Sequence, residues 1–395
     1  MHRTTGMLAA ARRLAFAAAV MAAVMAACAP AVAGDAGVAG AQARSAGPVT
    51  EASLRKLRLP DGYRVALYAR DLPGVRFMAV GPDGAVYASQ PRSGRVVRLG
   101  DADADGVADS VVVAVDGLDR PHGLAFHDGW LYVANTGGVV RVRLDASGRA
   151  RGTPQRLNQY SAGGGHWSRS LIFGPDGRLY VSIGSSCNLC EEKTEDRAAV
   201  MVYDADGTNG QLYASGLRNA VGMAVHPGTR QIWVSQHERD MLKPDHQDLP
   251  PEEINILQAG GHYGWPYCYG NRVPNPEYAD AKRCASTIPP ALEMQAHAAP
   301  LGMTFLTGAT QFPAAMRGDL LLAFHGSWNR DVPTGATVVR VRVADGRPVG
   351  YEDFVTGWQN ADGTRWGRPV DVLVARDGAV LISDDAGGAI YRVTR

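Results

Sequence analysis

The chain of 395 residues carries 40 Lys and Arg against 39 Asp and Glu, a formal net charge of +1, and 46% of its residues are apolar. That is enough apolar mass for a large core and too little charge for a disordered chain, while the balanced charge leaves no electrostatic footprint for nucleic acid and excludes that partner. Glycine, at 47 residues, is about twice its usual share and aromatics are only 7%, a mix that points to many short strands joined by tight turns.

Residues 1–27 read as an export segment. Arg12 and Arg13 precede an apolar run (14–27) too short to span a bilayer comfortably. Two endings compete: Met25-Ala26-Ala27-Cys28 resembles a bacterial lipobox that would lipidate Cys28, and Ala31-Val32-Ala33 fits ordinary cleavage before Gly34. Residues 28–50, small and featureless, read as a flexible linker, and 51–395 as one domain. Either ending places the protein in the periplasm or cell envelope, with a lipid on Cys28 as its only expected membrane attachment.

From residue 75 onward one pattern recurs: an apolar strand, a Gly/Asp turn, and a second strand ending in small residues. The first copy is VRFMAVGPDGAVYAS (75–89), followed by the alternating stretch RVVRL (95–99). After it come Asp101, Asp103, Asp105 and Asp109 in D-x-D-x-D-G-x-x-D, oxygen ligands at alternate positions that suit a structural Ca²⁺. Val112 stands where an EF-hand would close with glutamate, so the competing reading is an acidic, solvated hairpin. The second copy is 121–134, with VVRVRL (139–144) after it, and the third is 170–182.

Cys187-x-x-Cys190 follows the third copy; with Cys268 and Cys284 it reads as two structural disulfides, Cys187–Cys190 and Cys268–Cys284, in an oxidising compartment, or as a redox pair or zinc site. The fourth copy (220–235) is followed by an insertion over 237–296, the fifth spans 301–324 and the sixth 369–383. Alternation with period two marks half-buried antiparallel strands, and the Asp-Gly turns supply the positive φ of tight hairpins. Six copies predict an all-β, six-bladed β-propeller with a long loop insertion between blades four and five. No G-x-G-x-x-G follows a strand, which excludes a Rossmann fold.

In a propeller the innermost strands surround a central channel. The polar residues just upstream of those strands are Arg76, Arg120 with His122, His166, Arg218 with Asn219, His297 and Arg368. Read singly, each is a polar residue meeting water at a strand end. Together they place several cationic or titratable groups around one opening, which is costly without an anion, so a polyanionic ligand is expected there.

At these residues the chain resembles the glucose/sorbosone dehydrogenase family, six-bladed quinoproteins that use pyrroloquinoline quinone (PQQ), and most closely its sorbosone dehydrogenase-type branch. The similar segments are GGGHWSRSLIFGPDGRLYVSIGSSCNLCEE (163–192), LRNAVGMAVHP (217–227), ERDMLKPDHQDLPPEEINIL (238–257), GGHYGWPYCYG (260–270), HAAPLGM (297–303), FHGSWNR (324–330) and GRPVDVLVARDG (367–378). The resemblance implies that His166 is the catalytic base, that Arg218 and Asn219 hold PQQ, and that Arg368 neutralises one of its carboxylates. It further implies that the backbone carbonyls of Glu238 and Arg239 hold a Ca²⁺ bridging PQQ to the protein. His297 and Trp328–Arg330 align with further pocket positions; Arg330 stands in for a lysine of the soluble glucose dehydrogenases, and Arg120 adds charge to the ring. The three glycines before His166 are expected to let backbone approach a ligand closely.

The implied activity is PQQ- and Ca²⁺-dependent oxidation of a sugar or a sugar-derived aldehyde or alcohol. His166 takes the hydroxyl proton, with a rate falling as pH drops through about 6.5 if its pKa is unperturbed. Cys190 is followed by Glu191, so there is no C-x-x-C-H haem attachment, and the electrons are expected to leave to a separate cytochrome or quinone. The other readings are a calcium-dependent lactonase-type hydrolase and a non-catalytic propeller that binds a ligand or partner.

Overall fold

The structure is a computed structural model that describes residues 49–395; the export segment 1–27, Cys28 and most of the linker lie outside the described residues. Six antiparallel sheets follow one another along the chain, and their innermost strands are Met78–Val80, Leu124–His127, Arg169–Phe173, Ala220–Val225, Pro300–Phe305 and Pro369–Val374. Each pairs with the strand after it across the Gly/Asp turn read from the sequence, so all six repeats become the inner halves of blades. The alternating stretches supply third strands at Arg95–Gly100, Gly138–Val142, Thr337–Ala344 and Ala389–Thr394. The protein is a six-bladed β-propeller.

Two features go beyond the hairpin count. The segment 237–296 returns twice to blade four, as its third strand Glu252–Ile256 and its outermost strand Leu292–Met294. The remainder carries a parallel addition to blade three at Gly261–His262, a small hairpin of Cys268–Tyr269 with Val273–Pro274, and the short helix Ala281–Ala285. Blade six is closed by the chain's start: Arg64–Ala69 pairs antiparallel with Ala389–Thr394, so the ring is sealed by strands from opposite ends. The helical turn Glu51–Leu54, capped by a reciprocal Thr50–Ser53 box, precedes that strand. Val49, Leu54 and Leu57 are buried with Trp358, Phe354 and Tyr391.

In the closed ring Arg64–Ala69 covers the edge of Ala389–Thr394 as the outermost strand of blade six, whereas an open sixth blade would expose that largely buried strand. Deleting residues 49–69 is therefore expected to abolish the cooperative thermal transition and drive aggregation. Size-exclusion chromatography with a melting curve checks this; a monomer melting at the full-length temperature would show that the closing strand is dispensable.

Blade cores form between neighbouring sheets, as where Tyr180, Val200 and Val202 of blade three pack with Met223, Ile232 and Val234 of blade four. Both disulfides form, Cys187–Cys190 and Cys268–Cys284. No helix among the described residues is long and apolar enough to cross a membrane.

Candidate active site

Antiparallel pairing fixes where the site lies. The start of each innermost strand pairs with the end of the second, as in Arg169 with Ile183, Ala220 with Gln236, Pro300 with Phe324 and Pro369 with Asp384. Residues just before an inner strand and residues just after a second strand therefore meet at one mouth. The reading by strand position used only the first set, and the resemblance added Glu238, Arg239 and Trp328–Arg330 from the second. The second set also brings Ser185, His237, Asp240, His325 and Asp385, which neither had named.

Blades five, six and one supply a cationic group of residues. Arg76 pairs with Asp385 at 2.5 Å, and His325 Nε2 lies 2.9 Å from the same carboxylate. Burial would raise the Asp385 pKa, but His325, Arg76 and Arg368 outweigh it and hold the group ionised well below the usual range. His325, pushed down to about 4 by burial and then by Arg368, is neutral at pH 7. Arg368 donates Nε–H to the His325 carbonyl and one Nη2–H to the Gly326 carbonyl, both at 3.0 Å. A guanidinium has five N–H groups, so three of Arg368 have no partner among the described residues. Arg76 Nε is buried and also unpartnered. Asp385 faces both guanidiniums here, and Asp384 also lies beside Arg368, accepting from its backbone N–H at 2.8 Å.

Blades three, four and five supply the other half. Arg218 is clamped: Nε donates to the Asn188 carbonyl (3.0 Å), Nη1 to the Glu238 carbonyl (2.6 Å), and Nη2 to Asn188 Oδ1 (2.8 Å) and Asp240 Oδ2 (3.3 Å). A single Nη1–H remains. Asn188, inside the Cys187–Cys190 turn, also donates to the Asp240 carbonyl and accepts from the Asp240 N–H, both at 2.9 Å. Asp240 gathers Arg218, Asn329 Nδ2 at 2.8 Å and His297 Nδ1 at 3.6 Å. Burial pushes the Asp240 carboxyl up, yet the nearby His297 imidazole and the Arg218 charge prevail and its pKa is lowered. His297 Nε2 and Asn329 Oδ1 are buried without partners.

His166 lies at the blade-three side of this group, largely buried. Its Nδ1 is 3.0 Å from the Ser185 carbonyl oxygen and 2.9 Å from Ser185 Oγ. Burial, and after it the positive charge of Arg218, push its pKa well below 6.5, so the ring is neutral across the physiological range. Gly184 permits this seat, because a Cβ there would come within 2.7 Å of His166 Cβ and 2.4 Å of Asn219 Oδ1. Of the glycines before His166, Gly164, with φ of 97°, lies against the backbone of Ser186, Gly165 N–H donates to the Ser186 carbonyl, and a Cβ at Gly163 would meet open space.

His166, Arg218, Asn219, His297 and Arg368 thus stand at the mouth. Arg120 is exposed at the rim, with its guanidinium over Trp167, the ring that Arg76 also faces, and His122 is fully buried against Phe77. Arg330 is spent elsewhere, pairing with Asp248 at 3.0 Å and bonding the Gln247 carbonyl, so its charge is not available to a ligand. The Glu238 carbonyl already accepts from Arg218, and the Arg239 side chain leaves to pair with Glu277 at 2.6 Å; the Arg239 carbonyl has no partner among the described residues. In the acidic loop, Asp101, Asp103 and Asp109 bring carboxylate oxygens within 4.8 Å of one another, while Asp105 turns away to accept from Val107 N–H.

Comparison with known proteins gives a family described as TrAA12-like, which matches residues 57–395. A pyrroloquinoline quinone-dependent sugar dehydrogenase of Hypocrea jecorina is 26% identical over 281 residues, 57% of this chain and 62% of that one. A pyrroloquinoline quinone-dependent pyranose dehydrogenase of Coprinopsis cinerea is 23% identical over 86% of this chain and 55% of its own length. The chain thus spans little more than half the length of the curated relatives it matches. Among solved structures, the PQQ domain of the Coprinopsis cinerea pyranose dehydrogenase superposes with a TM-score of 0.73 at 21% identity, covering 86% of this chain and 97% of that one. That likeness is one of fold.

Proposed function

The chain belongs to the TrAA12-like family, and on that premise we propose that it is a PQQ- and Ca²⁺-dependent dehydrogenase oxidising a sugar or a sugar-derived aldehyde or alcohol. One observation carries the reading: a neutral histidine with a free ring nitrogen stands beside guanidinium and imidazole groups that the protein leaves unsatisfied. The fit to a tricarboxylate quinone is one of donor chemistry. Three N–H groups of Arg368, the last N–H of Arg218, Arg76 Nε and His297 Nε2 are what planar carboxylates take. The Asp240 carboxylate and the Arg239 carbonyl, unpartnered among the described residues, are hard oxygens of the kind Ca²⁺ takes, and the Glu238 carbonyl can join them through the lone pair that Arg218 leaves it.

When bound, the quinone supplies a hydride acceptor and the calcium a Lewis acid beside it. The chain's own residues do the rest. Arg368 and Arg76 set the orientation of the anion, and Asp385 keeps Arg76 in place. Arg218, clamped by Asn188, cannot swing away from Asp240. His166 accepts the hydroxyl proton at Nε2, and its lowered pKa keeps that nitrogen unprotonated at neutral pH. The electrons pass to a separate cytochrome or quinone, and the export reading of residues 1–27, ending either in a lipid on Cys28 or in cleavage before Gly34, supports a place in the periplasm or cell envelope.

The test is dye reduction by the protein reconstituted with PQQ and Ca²⁺, run against aldoses, ketoaldoses and alcohols. Turnover with at least one sugar is expected; metal-dependent lactone hydrolysis without dye reduction would replace this reading with the hydrolase. PQQ titrated by calorimetry is expected to bind only when Ca²⁺ is present. Equally tight binding in excess chelator would remove the metal from the site.

A further inference from the structure

The geometry points to Ser185 as the positioning residue that fixes His166 in the tautomer able to accept a proton, an inference that rests on the general-base reading above. Two atoms of Ser185 face His166 Nδ1: the carbonyl oxygen at 3.0 Å and Oγ at 2.9 Å. A carbonyl oxygen only accepts. The hydroxyl can donate or accept, but its proton is directed elsewhere, since Oγ donates to the Cys187 carbonyl at 2.7 Å. What Oγ turns toward the imidazole is therefore lone pair. With acceptors on both approaches, Nδ1 must carry the hydrogen, and the lone pair of the neutral ring falls on Nε2. That nitrogen has no partner among the described residues.

The arrangement is held from behind. Ser185 is buried at the end of the second strand of blade three, and its N–H donates to the Arg218 carbonyl at 2.7 Å. Cys187, whose carbonyl takes the hydroxyl proton, is tied to Cys190 by the disulfide. Asn188, in the same four-residue turn, grips the Arg218 side chain. One turn thus sets both the tautomer of the base and the aim of the neighbouring guanidinium. Without Oγ, Nδ1 would keep one acceptor and the Cys187 carbonyl would lose its donor, so the ring would gain freedom to turn and to carry its hydrogen on Nε2.

The experiment is long-range ¹H–¹⁵N correlation on the full chain labelled at histidine, free of quinone and metal, with His166 assigned by the signals missing in His166→Gln. The wild type is expected to show His166 as the Nδ1–H form. Ser185→Ala should raise the Nε2–H fraction several-fold and, after reconstitution, lower kcat about tenfold at unchanged sugar KM. Ser185→Thr, which keeps the hydroxyl, should restore both. A wild-type His166 protonated at Nε2 overturns the inference and needs no variant to show it. So does a folded Ser185→Ala protein with wild-type tautomer and kcat. Failure of the general-base reading has a separate signature: His166→Ala would retain turnover while the tautomer results stand.

Discussion

His166→Ala is expected to fold, to bind PQQ with Ca²⁺, and to lose turnover by about 10²- to 10⁴-fold, the usual contribution of a positioned proton acceptor. Binding should survive because the groups available to an anion belong to other residues, above all Arg368. The pH profile gives a second reading. From sequence alone the rate would decline through about 6.5. In the structure, burial and Arg218 lower the His166 pKa, so the free base persists into more acid solution and the acid limb should lie below 6.5. Stability runs the same way in sign. Below about 6.5 the unfolded chain takes up protons that folded His122, His166, His237 and His325 refuse, so the folded state loses stability as pH falls. The acid limb must therefore be measured on protein shown by circular dichroism to be folded. Near-normal turnover in folded, PQQ-loaded His166→Ala would place the base elsewhere.

The blades were legible in the sequence because each inner hairpin carries its own local signal, alternation around a Gly/Asp turn. Ring closure was not. Arg64–Ala69 pairs with residues more than 300 positions away, and no turn chemistry announces such a partner. Blade four's outer half was also hidden, because Glu252–Ile256 begins with two buried acids and breaks the apolar pattern. Those acids are tolerated because they are hydrogen-bonded: Glu252 accepts from the Glu238 and Ala299 N–H groups, and burial raises its pKa to about 8.

At the site, reading upstream of the inner strands found His166, Arg218, Asn219, His297 and Arg368. It missed the residues directly after the second strands, though polar residues following a buried stretch there were a usable signal: Gly184-Ser185, Gln236-His237, Phe324-His325 and Asp384-Asp385. The same reading overstated Arg330, since a charge in sequence does not reveal the partner that neutralises it, here Asp248.

Arg218→Ala and Arg368→Ala, equivalent when read from sequence, should behave differently. Arg368 gives two of its five N–H groups to the protein and keeps three for a ligand. Its removal is expected to weaken PQQ by roughly 1.5–3 kcal/mol, the range for hydrogen bonds to charged groups, or about 10- to 150-fold in Kd, while the melting temperature changes little. Arg218 gives four of its five to Asn188, Glu238 and Asp240. Its loss leaves the largely buried Asp240 carboxylate short of a cation and the Asn188 and Glu238 carbonyls short of a donor. Arg218→Ala should therefore lower both the melting temperature and PQQ affinity, and Asn188→Ala should repeat the pattern more weakly. Quinone titration and melting curves on all three proteins read the two quantities separately. If Arg368→Ala loses stability and keeps PQQ affinity, the free N–H groups of Arg368 do not face the quinone, and the anion must be held from the Arg218 side of the channel.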